Sequence, residues 1–152
     1  MQEFSKILFP VSLTEISPRV APYVLSMAMK YDAEIHLLHV ARALNSLIDT
    51  YIVQPSLTDF KRLSSNVEKE LTTAAENRLE QFKNEFFDNF TKIRETVIFG
   101  SHYKEILAYV ESEKVDLIIM GTGSPLHKMV IGSVADKVAK YAKIPVMLVK
   151  TV

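Results

Sequence analysis

The chain has 152 residues, 48% hydrophobic and 24% charged, which fits one globular domain over 1–152 and excludes a disordered or disulfide-stapled segment. Lys plus Arg number 18 and Asp plus Glu number 18, so the basic excess of a nucleic-acid or membrane-surface binder is missing. Cysteine is absent, which removes thiol catalysis, cysteine-type zinc sites and disulfides, and nowhere do about 18 apolar residues run together to span a membrane.

In chain order, Met1 to Lys6 leads into the apolar run Ile7-Leu8-Phe9-Pro10-Val11. That run is too short and too early broken for a signal peptide, so the expected location is cytoplasmic. Its composition suits a strand buried on both faces. Ser17-Pro18 reads as N-cap and first residue of a helix whose inner face carries Ala21, Val24, Leu25 and Ala28. Ala33 to Val40 is a second strand. Ala41 to Phe60 reads as a long, partly apolar connection with room for a short helix, of a length that usually serves as a lid or contact. Ser65-Asn66-Val67-Glu68 has capping-box spacing and is expected to open the longest helix, with Val67, Leu71, Ala75, Leu79, Phe82 and Phe86 as its buried stripe. Ile93 to Phe99 is a third strand, and Tyr103, Ile106, Leu107 and Val110 mark a helix entered near Ser101. Val115 to Met120 is a fourth strand ending at Gly121. Gly132-Ser133 opens a helix carrying Val134, Val138, Tyr141 and Ala142, and Pro145 to Val149 is the fifth strand. Strands alternating with helices predict a doubly wound α/β domain, a parallel sheet with helices on both faces.

Ligands of such sheets bind beyond the carboxyl ends of strands where the winding reverses. Two exits qualify: Pro10-Val11-Ser12 after strand one and Met120-Gly121-Thr122-Gly123-Ser124 after strand four. Glycine admits a ligand close to the backbone, and the helix start at Ser133 offers N–H groups to an anion. Residues 121–152 hold five lysines against Asp136, a local balance of +4. The plain reading of the same residues is a strand-ending turn, a helix cap and lysines offsetting a helix dipole.

Known catalytic patterns do not fit. The Gly-x-Gly-x-x-Gly fingerprint fails at Leu126, there is no Gly-Lys-Ser/Thr loop, and Ser124 is at the wrong offset for a nucleophile elbow. Ser12, His39 and Asp116 could be written as a triad, but Asp116 begins its strand and so belongs to the opposite sheet end from Ser12. His36 and His39 are an odd number of positions apart on one strand, point to opposite faces, and cannot chelate one metal.

Ile7-Leu8-Phe9-Pro10-Val11, Leu37-Leu38-His39-Val40, Gly100, Val115 to Thr122, Gly132-Ser133-Val134 and Pro145 to Val149 together resemble the universal stress protein family. The resemblance spans nearly the whole chain. It implies a five-stranded parallel sheet in order 3-2-1-4-5, a small cytoplasmic homodimer and a role in stress resistance. One branch of the family binds ATP through Gly-x-x-Gly, nine residues, then Gly followed by Ser or Thr. Gly121 matches the first position, and Gly132 and Ser133 match the last pair. The resemblance further implies adenine-facing positions at Pro10, Val11, Ser12, Val40 and Met120, a phosphate turn over Thr122, Gly123 and Ser124, and Val134 beside it. Mg²⁺ would come only with the nucleotide.

Two departures stand out. Ser124 occupies the second glycine position, and only seven residues separate it from Gly132, two fewer than the pattern, or up to roughly 7 Å of chain. Ser12 replaces a residue that is generally Asp. No carboxylate in the loop could orient water or hold Mg²⁺, so ATP hydrolysis is expected to be weak at most. The implied order leaves the last strand at an edge whose residues Val146 to Val149 carry no charge, and two copies are expected to pair antiparallel through it. Three functions are compatible with these residues: a sensor of adenine nucleotide read by a downstream protein, a homodimeric interaction module with a vestigial pocket, or a small hydrolase or transferase using Ser12 or Ser133.

Overall fold

The computed structural model describes residues 1–14, 16–42, 57–123 and 131–151, with 57–64 as backbone alone. Its elements are β1 (Lys6–Pro10), α1 (Ile16–Tyr31), β2 (Glu34–Ala41), α2 (Leu57–Phe86), β3 (Ile93–Phe99), α3 (His102–Glu113), β4 (Leu117–Gly121), α4 (Ser133–Tyr141) and β5 (Val146–Val149). The strands form one parallel sheet in the order β3-β2-β1-β4-β5. The doubly wound fold expected from the alternation, and the order implied by the resemblance, are both found.

The central strand explains the architecture. Ile7, Leu8 and Phe9 are all fully buried, so consecutive side chains meet protein on both faces of the sheet, as a parallel sheet requires. Ile7 and Phe9 join Ile35, Leu37 and Ile119 under α1 and α2, where Val20, Val24, Leu79 and Phe82 close the layer. Leu8, Leu38, Val40, Ile118 and Met120 face the other way and pack beneath α3 and α4 through Ile106, Val110, Ala135 and Val138. Each large side chain so buried stabilises the fold by about 1.5–3 kcal/mol.

Two helix starts differ from the sequence reading. Helix α1 begins at Ile16, not after Ser17. The Ser17 hydroxyl instead accepts the N–H of Ser12 at 2.9 Å, tying the helix to the end of β1. Pro18 falls in the first turn, where its missing N–H would have had no helical partner. Helix α2 begins at Leu57, so the capping-box residues Ser65 to Glu68 lie inside it. Residues 57–86 contain neither glycine nor proline, and nothing stops the helix from propagating through them. Of the connection expected over 41–60, residue 41 is strand and 57–60 are helix, while 43–56 lie outside the described residues.

The buried stripe of α2 is shorter than expected for a geometric reason. Leu79 and Phe82 are buried and Phe86 packs beside them, but Val67 and Ala75 are half-buried and Leu71 is exposed. Thirty residues of helix run about 45 Å, whereas the eight residues of β2 run about 26 Å. The amino-terminal half of α2 therefore extends past the layer it covers.

Candidate functional site

At the carboxyl edge of the sheet the exits of β1, β2 and β4 and the start of α4 open into one cleft of about 560 Å³. Pro10, Val11, Ser12, Val40, Met120, Gly121, Thr122, Gly123, Gly132, Ser133 and Val134 all line it. Of the residues singled out from the sequence, only Ser124 is not among them, and it lies outside the described residues. The cleft sits where the sheet reverses direction, since β1 is joined to β2 on one side and to β4 on the other. Leu38, Val40, Ile106, Met120, Val134 and Ala135 supply an apolar wall.

Backbone hydrogen bonds set the loop after β4. The Thr122 N–H donates to the Val149 carbonyl at 2.9 Å, and the Gly132 N–H donates to the Thr122 carbonyl at 2.8 Å. The two ends of the loop are thus pinned together beside the start of α4. Gly132 caps that helix at φ −58° and ψ 151° without a side-chain cap, which leaves the first-turn N–H groups without a side-chain acceptor. The glycines differ in what they tolerate. A Cβ on Gly121 would come within 2.6 Å of Ile16 Cγ2, and one on Gly123 would collide with the Thr151 hydroxyl. Among the described residues a Cβ on Gly132 would meet nothing nearer than the Thr122 carbonyl oxygen at 3.6 Å, so neither their packing nor the backbone conformation demands glycine there.

On the opposite wall, three hydroxyls form a chain. Ser12 Oγ is 2.9 Å from Thr14 Oγ1 and 3.3 Å from Ser17 Oγ. Hydroxyls are not bases at neutral pH, so nothing in this chain activates Ser12 as a nucleophile. The proposed triad partner is elsewhere. Asp116 accepts from the Ser5 N–H and hydroxyl at 2.9 and 2.8 Å and from the Lys6 N–H at 3.1 Å, all at the amino end of β1.

Three of the five lysines read as a phosphate signal are engaged locally, and Lys128 lies outside the described residues. Lys140 pairs with Asp136 at 2.9 Å, Lys143 lies 3.7 Å from Glu111, and Lys137 stands 4.8 Å above the Tyr103 ring. Among the described residues the fixed positive charge in the cleft comes from Arg78 of α2, whose guanidinium donates to the Leu13 carbonyl at 3.0 Å. Two imidazoles join it. His39 Nδ1 is 2.8 Å from the Val11 carbonyl, which fixes that nitrogen as the donor. His102, the first residue of α3, has its imidazole pushed below the ordinary value by burial and, secondarily, by Arg42 and His39. No carboxylate lines the cleft among the described residues, and these hold no cluster of three or more His, Asp or Glu in metal-binding arrangement.

Sequence reasoning missed Arg78, His39 and His102 as cleft residues. Arg78 gave no local signal, because it reaches the cleft from a helix face 66 positions away from Ser12. His102 was legible in hindsight: it follows Gly100-Ser101 at a strand-to-helix exit, the same kind of position as Ser12. The expectation that His36 and His39 face opposite ways is met. His36 is fully buried under α3 with Nδ1 2.7 Å from the Tyr109 hydroxyl, and its Nε2 lies 2.6 Å from Glu34 Oε1.

Known proteins share this fold. "Universal stress protein MJ0577" of Methanocaldococcus jannaschii is 28% identical over 97% of this chain and 95% of its own, and a solved structure of MJ0577 superposes with a TM-score of 0.81 over 98% and 97% of the two chains. A universal stress protein of Methanothermobacter thermautotrophicus is 30% identical over the full chain and 99% of its own. Two more distant structures share the fold: an Arabidopsis thaliana family member with AMP bound, 19% identical at a TM-score of 0.63 over 97% and 92% of the chains, and a universal stress protein in complex with cAMP, 16% identical at 0.61 over 99% and 100%. The sequence model of the universal stress protein family matches residues 3–150, and the chain belongs to that family.

Proposed function

We propose that this stress protein is a nucleotide sensor, whose cleft takes up an adenine nucleotide and whose occupancy is read by a downstream protein. One observation carries the reading: the apolar wall at Val40 and Met120, the Ser12 hydroxyl and the uncapped start of α4 all open into the same cleft. That combination suits a flat base at one end and an anionic phosphate at the other. The AMP-bound and cAMP-bound family structures support an adenine nucleotide as the ligand class. Gly132 supports it too, because among the described residues nothing crowds the place of its missing side chain, which leaves room for a phosphate against the backbone.

The ligand is a short nucleotide rather than a wrapped triphosphate. The loop is pinned at its base by the bond between Gly132 and Thr122, and Ser124 stands two residues closer to Gly132 than in the ATP-binding pattern. Mg²⁺ enters only on the ligand's own phosphates, and hydrolysis is weak at most. Two copies pair antiparallel through β5. The shortened spacing also favours a second reading, a dimeric interaction module of the same fold with a vestigial pocket.

Thermal melts with ATP, ADP and AMP separate the two. A ligand at 100 times its dissociation constant stabilises the native state by about 2.7 kcal/mol, a shift of roughly 5–11 °C for a domain of this size. AMP is expected to raise the melting temperature at least as far as ATP does. A curve unmoved by all three at millimolar excess leaves the interaction module. Stabilisation that survives in a Gly132→Val, Ser133→Ala double variant places the nucleotide elsewhere.

A further inference from the structure

We infer that His39, His102 and Arg78 form an anion-reading wall in the cleft, so that binding a phosphate-bearing ligand is coupled to proton uptake and tightens as the pH falls. The inference rests on the nucleotide reading above and adds regulation of the same site.

Among the described residues, the ionisable groups lining the cleft are Arg78, His39 and His102, with no carboxylate to cancel them. Among these residues Arg78 is the fixed positive charge and His102 is an imidazole able to gain one. An anion bound in a space of about 560 Å³ shares that space with both rings. A negative charge close to the His102 imidazole favours its protonated form.

The rings are positioned rather than adventitious. His39 is anchored by Nδ1 to the carbonyl of Val11, and His102 is held at the start of α3, where it lines the same cleft. The His39 imidazole therefore spends one nitrogen on a strand exit.

The surroundings of each ring are compatible with this. Around His102 stand Arg42 and His39, both opposing its protonation, and Glu105 in the same first turn, whose carboxylate lies over Gly100. Around His39, Arg78 approaches from α2. On β3, Val97 is the residue opposite His39, and Glu95 two places earlier is already paired with Lys83 of α2 at 2.6 Å. In the empty cleft the burial of His102 and its cationic neighbours disfavour a second positive charge. A bound phosphate removes that penalty.

The test uses cAMP, whose single phosphodiester charge does not titrate between pH 8.0 and 5.5, with adenosine as the uncharged control. Isothermal calorimetry on the full chain is expected to show cAMP binding about tenfold tighter at pH 5.5 than at pH 8.0, with net proton uptake near pH 6.5. Adenosine affinity should change less than twofold. His102→Gln should flatten the cAMP slope, and its melting temperature at pH 8.0 checks that it folds. Arg78→Gln, an exposed position, should weaken cAMP at every pH and keep the slope. A cAMP affinity equal at both pH values, or an undiminished slope in a folded His102→Gln variant, overturns the inference and leaves the nucleotide reading standing. No binding of cAMP, AMP or adenosine at either pH overturns the nucleotide reading and this inference with it.

Discussion

Gly121 and Gly132 bracket the same loop, yet the structure gives them opposite tolerance for a methyl group. Gly121→Ala would force its Cβ against Ile16 and Thr151, and overpacking of that kind costs about 1–3 kcal/mol. Gly132→Ala has ordinary contacts and an accessible backbone conformation, so its cost is that of a poorer helix cap, about 1 kcal/mol or less. Urea denaturation of the two variants should show this order, while AMP titration should show that Gly132→Ala loses affinity although it folds. Tyr109→Phe is a third single-residue case. It strips the partner from His36 Nδ1 inside the fully buried layer and should cost about 1–3 kcal/mol. The sequence showed the two glycines and Ser133 because a strand exit and a helix start leave a local mark. It did not show Arg78, since a long side chain on an exposed helix face reads the same whether it reaches a cleft or water.

At the scale of elements, the strands were legible because each is buried on both faces and reads as a continuous apolar run. Their ends moved by one or two residues, as with β4, which begins at Leu117 and not at Val115. Helix starts were harder. The capping signal at Ser65 was real as a pattern, but the preceding residues contained no breaker, and α2 had already begun. How far that helix overhangs its sheet depends on the lengths of two elements distant in sequence, which no window shows. The histidines give the elements a pH signature. Burial is the first cause holding both His36 and His102 below the ordinary value of 6.5. Above that value the ring is neutral in both states and stability is unaffected. As the pH falls below it, the unfolded chain takes up protons that the native state refuses, and stability is lost until the lower native values are reached. Melting temperature should therefore fall between pH 7 and pH 5.5, and a saturating anionic ligand should recover part of the loss through His102. A melting temperature that rises over this range would contradict the burial of these two rings.

For the molecule as a whole, alternation of strands and helices dictated the doubly wound class, whereas the order of strands came from resemblance, because apolar runs carry no information about which neighbours pair. That order leaves β5 at an edge, with Val146, Met147 and Leu148 half-buried in one copy and its carboxyl end followed by Lys150. An uncharged, partly apolar edge of this kind invites a second strand. Met147→Lys should convert a dimer to monomers in light scattering, and an unchanged dimer mass would remove β5 as the interface. The described residues include no helix long and apolar enough to cross a membrane.

The central claim is that segments far apart in sequence make a single receptor for an anionic nucleotide at the carboxyl edge of the sheet. Amide chemical shifts followed during AMP titration of isotopically labelled protein test it most directly. The account predicts saturable shifts concentrated at Ser12, Val40, Gly121 to Gly123 and Gly132 to Ala135, with β5 and the amino-terminal half of α2 unmoved. Shifts clustered on those latter surfaces, or a spectrum unchanged at millimolar AMP, would contradict it.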